Sequence, residues 1–308
     1  MELLRNLDAL PDPRLRGCAV TWGVFDGVHL GHRKVLARLL EIAGDAPSVV
    51  VTFDRHPAEI LHGKPVPLLV PVEERLRLIA ACGVGFAVMI PFTREFAQTT
   101  AEGFVRDVAV GRIGARAILL GHDSHFGRDR RGDFELLARV GTECGVRVEA
   151  CGPEVFQGRP VSSTAIRRAV AEGRLEDAAA MLGRPVSCRG VVVRGDRRGA
   201  ALGFPTANLD LAPGVRPLRG VYAVETSVDG RAFAGVANLG CRPTFHGEGA
   251  PEVLEVHLLD YAGGDLYGRT LEVRFLYRVR EERNFRGPEE VRRQIEADVA
   301  AVRERMRR

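Results

Sequence analysis

The sequence is short of lysine: only Lys34 and Lys64 occur among 44 basic residues in a chain of 308. Any phosphate chemistry must therefore rest on arginine, backbone amides, imidazole or a metal rather than on an ammonium group. No G-x-x-x-x-G-K-[ST] stretch is present, which removes an ordinary P-loop kinase. Aromatic residues make up 6%, and 40 acidic residues nearly balance the basic ones. The basic, aromatic-studded face of a nucleic-acid binder is therefore not expected. The six cysteines (Cys18, Cys82, Cys144, Cys151, Cys188 and Cys241) are scattered with no C-x-x-C pair. That argues against a disulfide framework or structural zinc and for free thiols in a reducing cytoplasm. Apolar runs are too short to span a bilayer, and "MELLRNLDALPDPRLRG" lacks the apolar core and cleavage pattern of a signal peptide. The expectation is a cytoplasmic protein with neither nucleic acid nor membrane as partner; the oligomeric state is not legible.

What is there has two rhythms. Up to about Leu182, "CAVTW", "SVVVTF", "FAVMIPF", "AILLG" and "VRVEAC" read as continuous apolar strands of a parallel sheet. Amphipathic stretches at Val35–Leu40, 73–81 and 101–110 separate them, predicting a Rossmann-like α/β domain over 1–184. After "MLGRPVSC" come "CRGVVVRG", "GVYAVETSV", "RAFAGVANLG", "EVLEVHLLDY" and "TLEVRFLYRV", divided by Gly, Asp and Pro turns. This predicts an antiparallel β-barrel domain over 185–308. It ends in a helix opened by Pro288, Glu289 and Glu290, with Val291, Ile295, Val299 and Val302 on one face.

"GVFDGVHLGH", from Gly23, follows the first strand and opens the first helix, the carboxyl-end position where such sheets bind ligands. A helix N-terminus presents unpaired N–H groups and partial positive charge, which suits phosphate. Gly27 and Gly31 allow close backbone approach, and His29 and His32 lie three residues apart on one helical face. Their N–H groups would stabilise charge growing on departing pyrophosphate. Read alone, the same residues also fit a solvated loop, an Asp-Gly turn or a fragment of a metal site.

The extended "G-x-F-D-G-V-H-x-G-H" resembles the adenylyltransferase module of bacterial bifunctional riboflavin kinase/FAD synthetases. "TFDRHP" from Thr52, "GHDSHFGRDRRGD" from Gly121 and "VSSTAIRRAV" from Val161 follow in the family's order. The resemblance implies a nucleotidyltransferase fold in which Gly23, Phe25, Asp26, Gly27 and Gly31 border ATP. His29 and His32 would contact its phosphates, and Asp123 would stand in the active site. Ser163, Thr164 and Arg167 would hold the triphosphate from the opposite side. The sequence departs from the family at Ser124, where an aromatic is usual, at His125, where arginine is usual, and at Arg55, where proline is usual.

In the second half, "GDRRGAALGFPTANL" begins at Gly195. The glycines Gly195, Gly199 and Gly203 would offer backbone amides, with Arg197 and Arg198 as further phosphate contacts. Thr206 offers a hydroxyl and Asn208 a carbonyl oxygen, donors that suit Mg²⁺ beside substrate phosphates; read alone, Pro205–Asn208 is more often a plain turn. "LGFPTANL", with "GVANLGCRPTF" and "LEVHLLDY", resembles the riboflavin kinase signature. The resemblance places Thr206 and Asn208 at Mg²⁺ and the ATP phosphates and makes Glu255 the general base. On pattern alone, Leu254, Val256 and Leu258 leave the face of Glu255 undetermined. Taken whole, the resemblance implies that riboflavin and ATP give FMN, that FMN and a second ATP give FAD and pyrophosphate, and that Mg²⁺ serves both reactions.

Overall fold

The computed structural model describes residues 1–195, 198–241 and 252–307. Arg197, the side chain of Arg198, and positions 242–245 of "GVANLGCRPTF" lie outside the described residues. The chain divides into two compact units, Met1–Ser163 and Thr164–Arg308.

The first unit is built on one parallel sheet: β1 (Glu2–Arg5), β2 (Cys18–Trp22), β3 (Ser48–Phe53), β4 (Phe86–Ile90), β5 (Ala115–Gly121) and β6 (Arg147–Cys151). Their order is β1-β4-β3-β2-β5-β6, so the chain steps outward in opposite directions from β2. The carboxyl end of β2 is thus the switch point, where such sheets leave a crevice for ligands. β2 and β3 are buried along their whole length because both faces are covered. Val20, Trp22, Val49 and Val51 enter one apolar cluster, while Ala19 and Val50 enter the other. Helices α1 (Leu30–Ala43), α2 (Pro57–His62), α3 (Val72–Ala81), α4 (Ala101–Gly103, continued by a π-helical stretch Phe104–Arg112) and α5 (Phe134–Glu143) connect the strands. A small hairpin, β7 (Val155–Phe156) and β8 (Arg159–Pro160), closes the unit.

The second unit opens with α6 (Ser163–Ala171) and α7 (Leu175–Leu182). Gly183 ends α7 in the left-handed conformation that a helix C-terminus commonly assigns to glycine. A closed barrel follows: β9 (Val186–Val193), β10 (Ala207–Leu211), β11 (Gly220–Val228), β12 (Arg231–Cys241), β13 (Glu252–Leu258) and β14 (Thr270–Arg280), with the short α8 (Arg198–Ala201) between β9 and β10. All pairings are antiparallel. Leu209, Leu254 and Leu239 are register partners on neighbouring strands and fully buried, one layer of the barrel interior.

The terminal helix α9 (Pro288–Met306) lays Val302 on a patch formed by Val221, Ala223, Val236 and Leu259. Asp298 on the same helix is buried and receives the Arg280 guanidinium at 2.8–3.1 Å and the Gln294 amide at 2.7 Å. Asp298→Ala would strand a largely buried guanidinium, a loss of about 3 kcal/mol. The expected result is a lower midpoint for the second unit alone. All four tyrosines lie there and the single tryptophan, Trp22, lies in the first unit, so the two transitions are read separately.

Candidate active sites

At the end of β2 the backbone is bent sharply. Phe25 (φ 54°), Gly27 (φ 82°) and Val28 (φ 40°) all occupy the left-handed region. For a β-branched residue such as Val28 this is rare, and strain of this kind gathers at functional sites. The turn places His29 as the N-cap of α1, its Nδ1 accepting from the His32 backbone N–H at 3.3 Å. With Nδ1 accepting, a ring proton of His29 sits on Nε2. The two imidazoles stack, centroids 3.6 Å apart and planes 17° from parallel. Gly31 leaves room for this stack: a Cβ there would lie a tight 3.2 Å from the His29 ring.

The His32 Nδ1 is buried with no hydrogen-bond partner. Burial, then the neighbouring His29 and Arg75, holds His32 well below the usual histidine range, so it is a neutral imidazole at pH 7. Arg75, on α3, is a buried cation that the sequence reading missed. It donates to the Phe53 carbonyl at the end of β3, and its Nε has no partner. Its signal was a charge on the apolar stripe that also holds Leu78 and Ile79. A helix N-terminus, ring N–H groups and a buried guanidinium together make this an anion-seeking crevice. Among the described residues no group of three or more His, Cys, Asp or Glu could hold a metal ion.

The other expected residues sort themselves by position. Gly23 continues the sheet through its N–H to Val51. Phe25 is buried with its ring edge toward His32, centroids 5.2 Å apart. Asp26 is an anchor, its carboxylate accepting from the Leu69 and Val70 amides. Ser163 Oγ donates to the Asp26 carbonyl at 2.9 Å. Thr164 is exposed and Arg167 half-buried within the first turns of α6, in the second unit. Asp123 is exposed beyond the end of β5, the neighbour of β2. Ser124, His125 and Arg55, where the sequence departs from the family, all lie after strand ends. Ser124 closes a turn on Gly121, His125 contacts the Asp123 carbonyl, and Arg55 is exposed.

In the barrel, Asn208 pairs with Glu255, and Glu255 pairs with Asn238, across β10, β13 and β12. Directly opposed residues share a face, so the three form a row on the barrel exterior. The face of Glu255, undetermined from the sequence, is thereby settled: Leu254, Val256 and Leu258 are buried while Glu255 is exposed. Asn208 is covered by Gly195, where a Cβ would fall 2.5 Å from the amide carbon and nitrogen. Gly199 accepts Phe204 N–H at 2.8 Å, and a Cβ there would meet the Phe204 carbonyl at 2.5 Å and Thr206 Oγ1 at 3.3 Å. Gly203 (φ 92°) closes the turn before Pro205. Hydroxyl, amide oxygen and carboxylate are hard donors, a set that fits Mg²⁺ carried in with nucleotide phosphates. Asn238, whose amide donates to Glu282 at 3.2 Å, and His257, which contacts Pro205, were missed by sequence reading. His257 was findable, since it lies two residues from Glu255 and shares its face.

A family profile described as FAD synthetase matches residues 12–165, and one described as riboflavin kinase matches residues 182–306. The bifunctional riboflavin kinase/FMN adenylyltransferase of Pseudomonas fluorescens is 41% identical over 98% of this chain and 97% of its own length. The Escherichia coli K12 protein of the same description is 39% identical over 99% and 97%. The chain belongs to the bifunctional riboflavin kinase/FMN adenylyltransferase family. As a member, it phosphorylates riboflavin to FMN with ATP and adenylylates FMN to FAD with release of pyrophosphate. A solved structure from Streptococcus pneumoniae, described as a macrolide-efflux protein, shares the fold with TM-score 0.88 over 98% of this chain and 99% of that one, at 29% identity. Among the described residues of this chain, no helix is long and apolar enough to cross a membrane.

Proposed function

We propose that the crevice at the end of β2 performs the adenylyl transfer and that the Asn208–Glu255–Asn238 row performs the kinase step. In the first site the FMN phosphate oxygen attacks the α-phosphorus of ATP, and pyrophosphate leaves. His29 and His32 donate N–H groups toward the charge that develops, while α1 contributes its N-terminal dipole. Ser163, Thr164 and Arg167 grip the triphosphate from α6. In the second site Thr206 and Asn208 receive MgATP, and Glu255 takes the proton of the ribityl 5′-hydroxyl as the γ-phosphoryl group arrives. No lysine is required: Gly195 and Gly199 bring the backbone close.

The adenylyltransferase module runs over 1–184 and the kinase module over 185–308. The protein works in the cytoplasm, without nucleic acid. Free thiols at Cys18, Cys82, Cys144, Cys151 and Cys188 support a reducing compartment. Burial pushes the Cys18 and Cys188 thiols up to about 12, which suits inert packing groups.

The observation that carries the kinase assignment is the direct register of Glu255 with Asn208. Its test is a time course with riboflavin, ATP and Mg²⁺, resolved by chromatography. FMN should rise first and FAD follow; FMN that never converts would remove the adenylyltransferase assignment, and no product at all would remove both.

A further inference from the structure

Among the described residues, the loop that carries Thr206 has few attachments of its own. Phe204 N–H bonds to Gly199 within the loop, and Pro205 has no N–H to give. Regular pairing with β13 begins only at Ala207, opposite Val256. Between these points the Pro205 carbonyl lies 2.9 Å from His257 Nδ1. A carbonyl only accepts, so the imidazole carries its proton on Nδ1. The ring also meets Phe204 edge to face, with centroids 5.4 Å apart and planes at 85°. His257 stands on β13 two residues from Glu255 and on the same outward face, a spacing of about 7 Å along a strand. One strand therefore holds both the carboxylate and the attachment of the loop that must be set against it.

Building on the kinase assignment above, we propose that His257 is a positioning residue for phosphoryl transfer. Its Nδ1–H hooks the Pro205 carbonyl, fixing Thr206 and Asn208 relative to Glu255 for MgATP, and the imidazole itself touches no reacting atom. Nothing in the hook depends on riboflavin, so the defect on breaking it falls on nucleotide binding.

The experiment uses the full chain, with kcat and KM measured for MgATP and for riboflavin in His257→Ala, His257→Asn and His257→Phe. Loss of one hydrogen bond of this kind is expected to raise the KM for MgATP about tenfold in His257→Ala, with kcat changed less than about threefold. Asparagine places an amide N–H near the Nδ1 position and should recover most of the loss; phenylalanine keeps the ring contact without the donor and should behave like alanine. FAD formation from supplied FMN should stay at the wild-type rate in all three, reporting an intact first unit. Nitrogen chemical shifts of labelled wild-type protein should show His257 as the Nδ1–H tautomer, a readout that needs no variant to fold. An Nε2–H tautomer, a wild-type KM for MgATP in His257→Ala, an asparagine variant no better than alanine, or a fall in kcat at constant KM would each overturn the proposal. Glu255→Gln separates this from the underlying assignment: if it still makes FMN at the wild-type rate, the kinase reading fails whatever His257 does.

Discussion

Glu255→Ala is expected to lower FMN formation by roughly 10²–10⁴-fold, the usual contribution of a positioned general base. FAD formation from supplied FMN should continue. The side chain is exposed on the barrel exterior, whereas the interior layer of Leu209, Leu254 and Leu239 does not involve it. The substitution therefore removes a proton acceptor without opening a cavity, and surface changes of this kind usually leave stability within about 0.5 kcal/mol. A loss confined to kcat with little change in KM would mark a group that acts in the transition state. Retained FMN formation, or loss of both activities together, would refute the assignment.

Substitution of His29 should do the reverse and leave the product stranded at FMN. Two effects have to be separated, because His29 caps α1 through Nδ1 and also presents Nε2–H. Alanine removes both and should weaken the first unit by about 1 kcal/mol through the lost cap. Asparagine is itself a favourable N-cap, so His29→Asn keeps the cap and removes the ring donor. Its adenylyl transfer is expected to fall roughly 10²–10³-fold, as when one donor to a developing oxyanion is deleted. Thermal unfolding followed at Trp22 should stay near wild type. FAD formation by His29→Asn at an undiminished rate would show that the stacked pair does not serve the chemistry.

The parts legible in the sequence were those with a local signal. Continuous apolar runs marked β2 and β3 because both of their faces are covered. The "GVFDGVHLGH" stretch marked the bent turn after β2 because its backbone conformation is demanding. β1 escaped because "ELLR" is four residues long and acquires its state by pairing with β4. The outward face of Glu255 escaped because apolar residues stand at Leu258 and Leu259 alike, blurring the alternation. Asn238 escaped for a different reason: its neighbour at the site, Glu255, is remote in sequence. No window of residues contains such a relation.

The contrast between an open sheet and a closed barrel also bears on how the protein behaves when crowded. The barrel order returns on itself through β9 and β10, so it presents no unpaired strand to a neighbour. The parallel sheet ends at β1 and β6, and each margin carries charge: Glu2 is bonded by Arg14, and Arg147 and Glu149 alternate along β6. Charged, short margins discourage the strand-by-strand stacking that turns soluble chains into aggregates. When this protein precipitates on heating or overexpression, the seed is expected in the adenylyltransferase half, and neutralising those margins should make it worse.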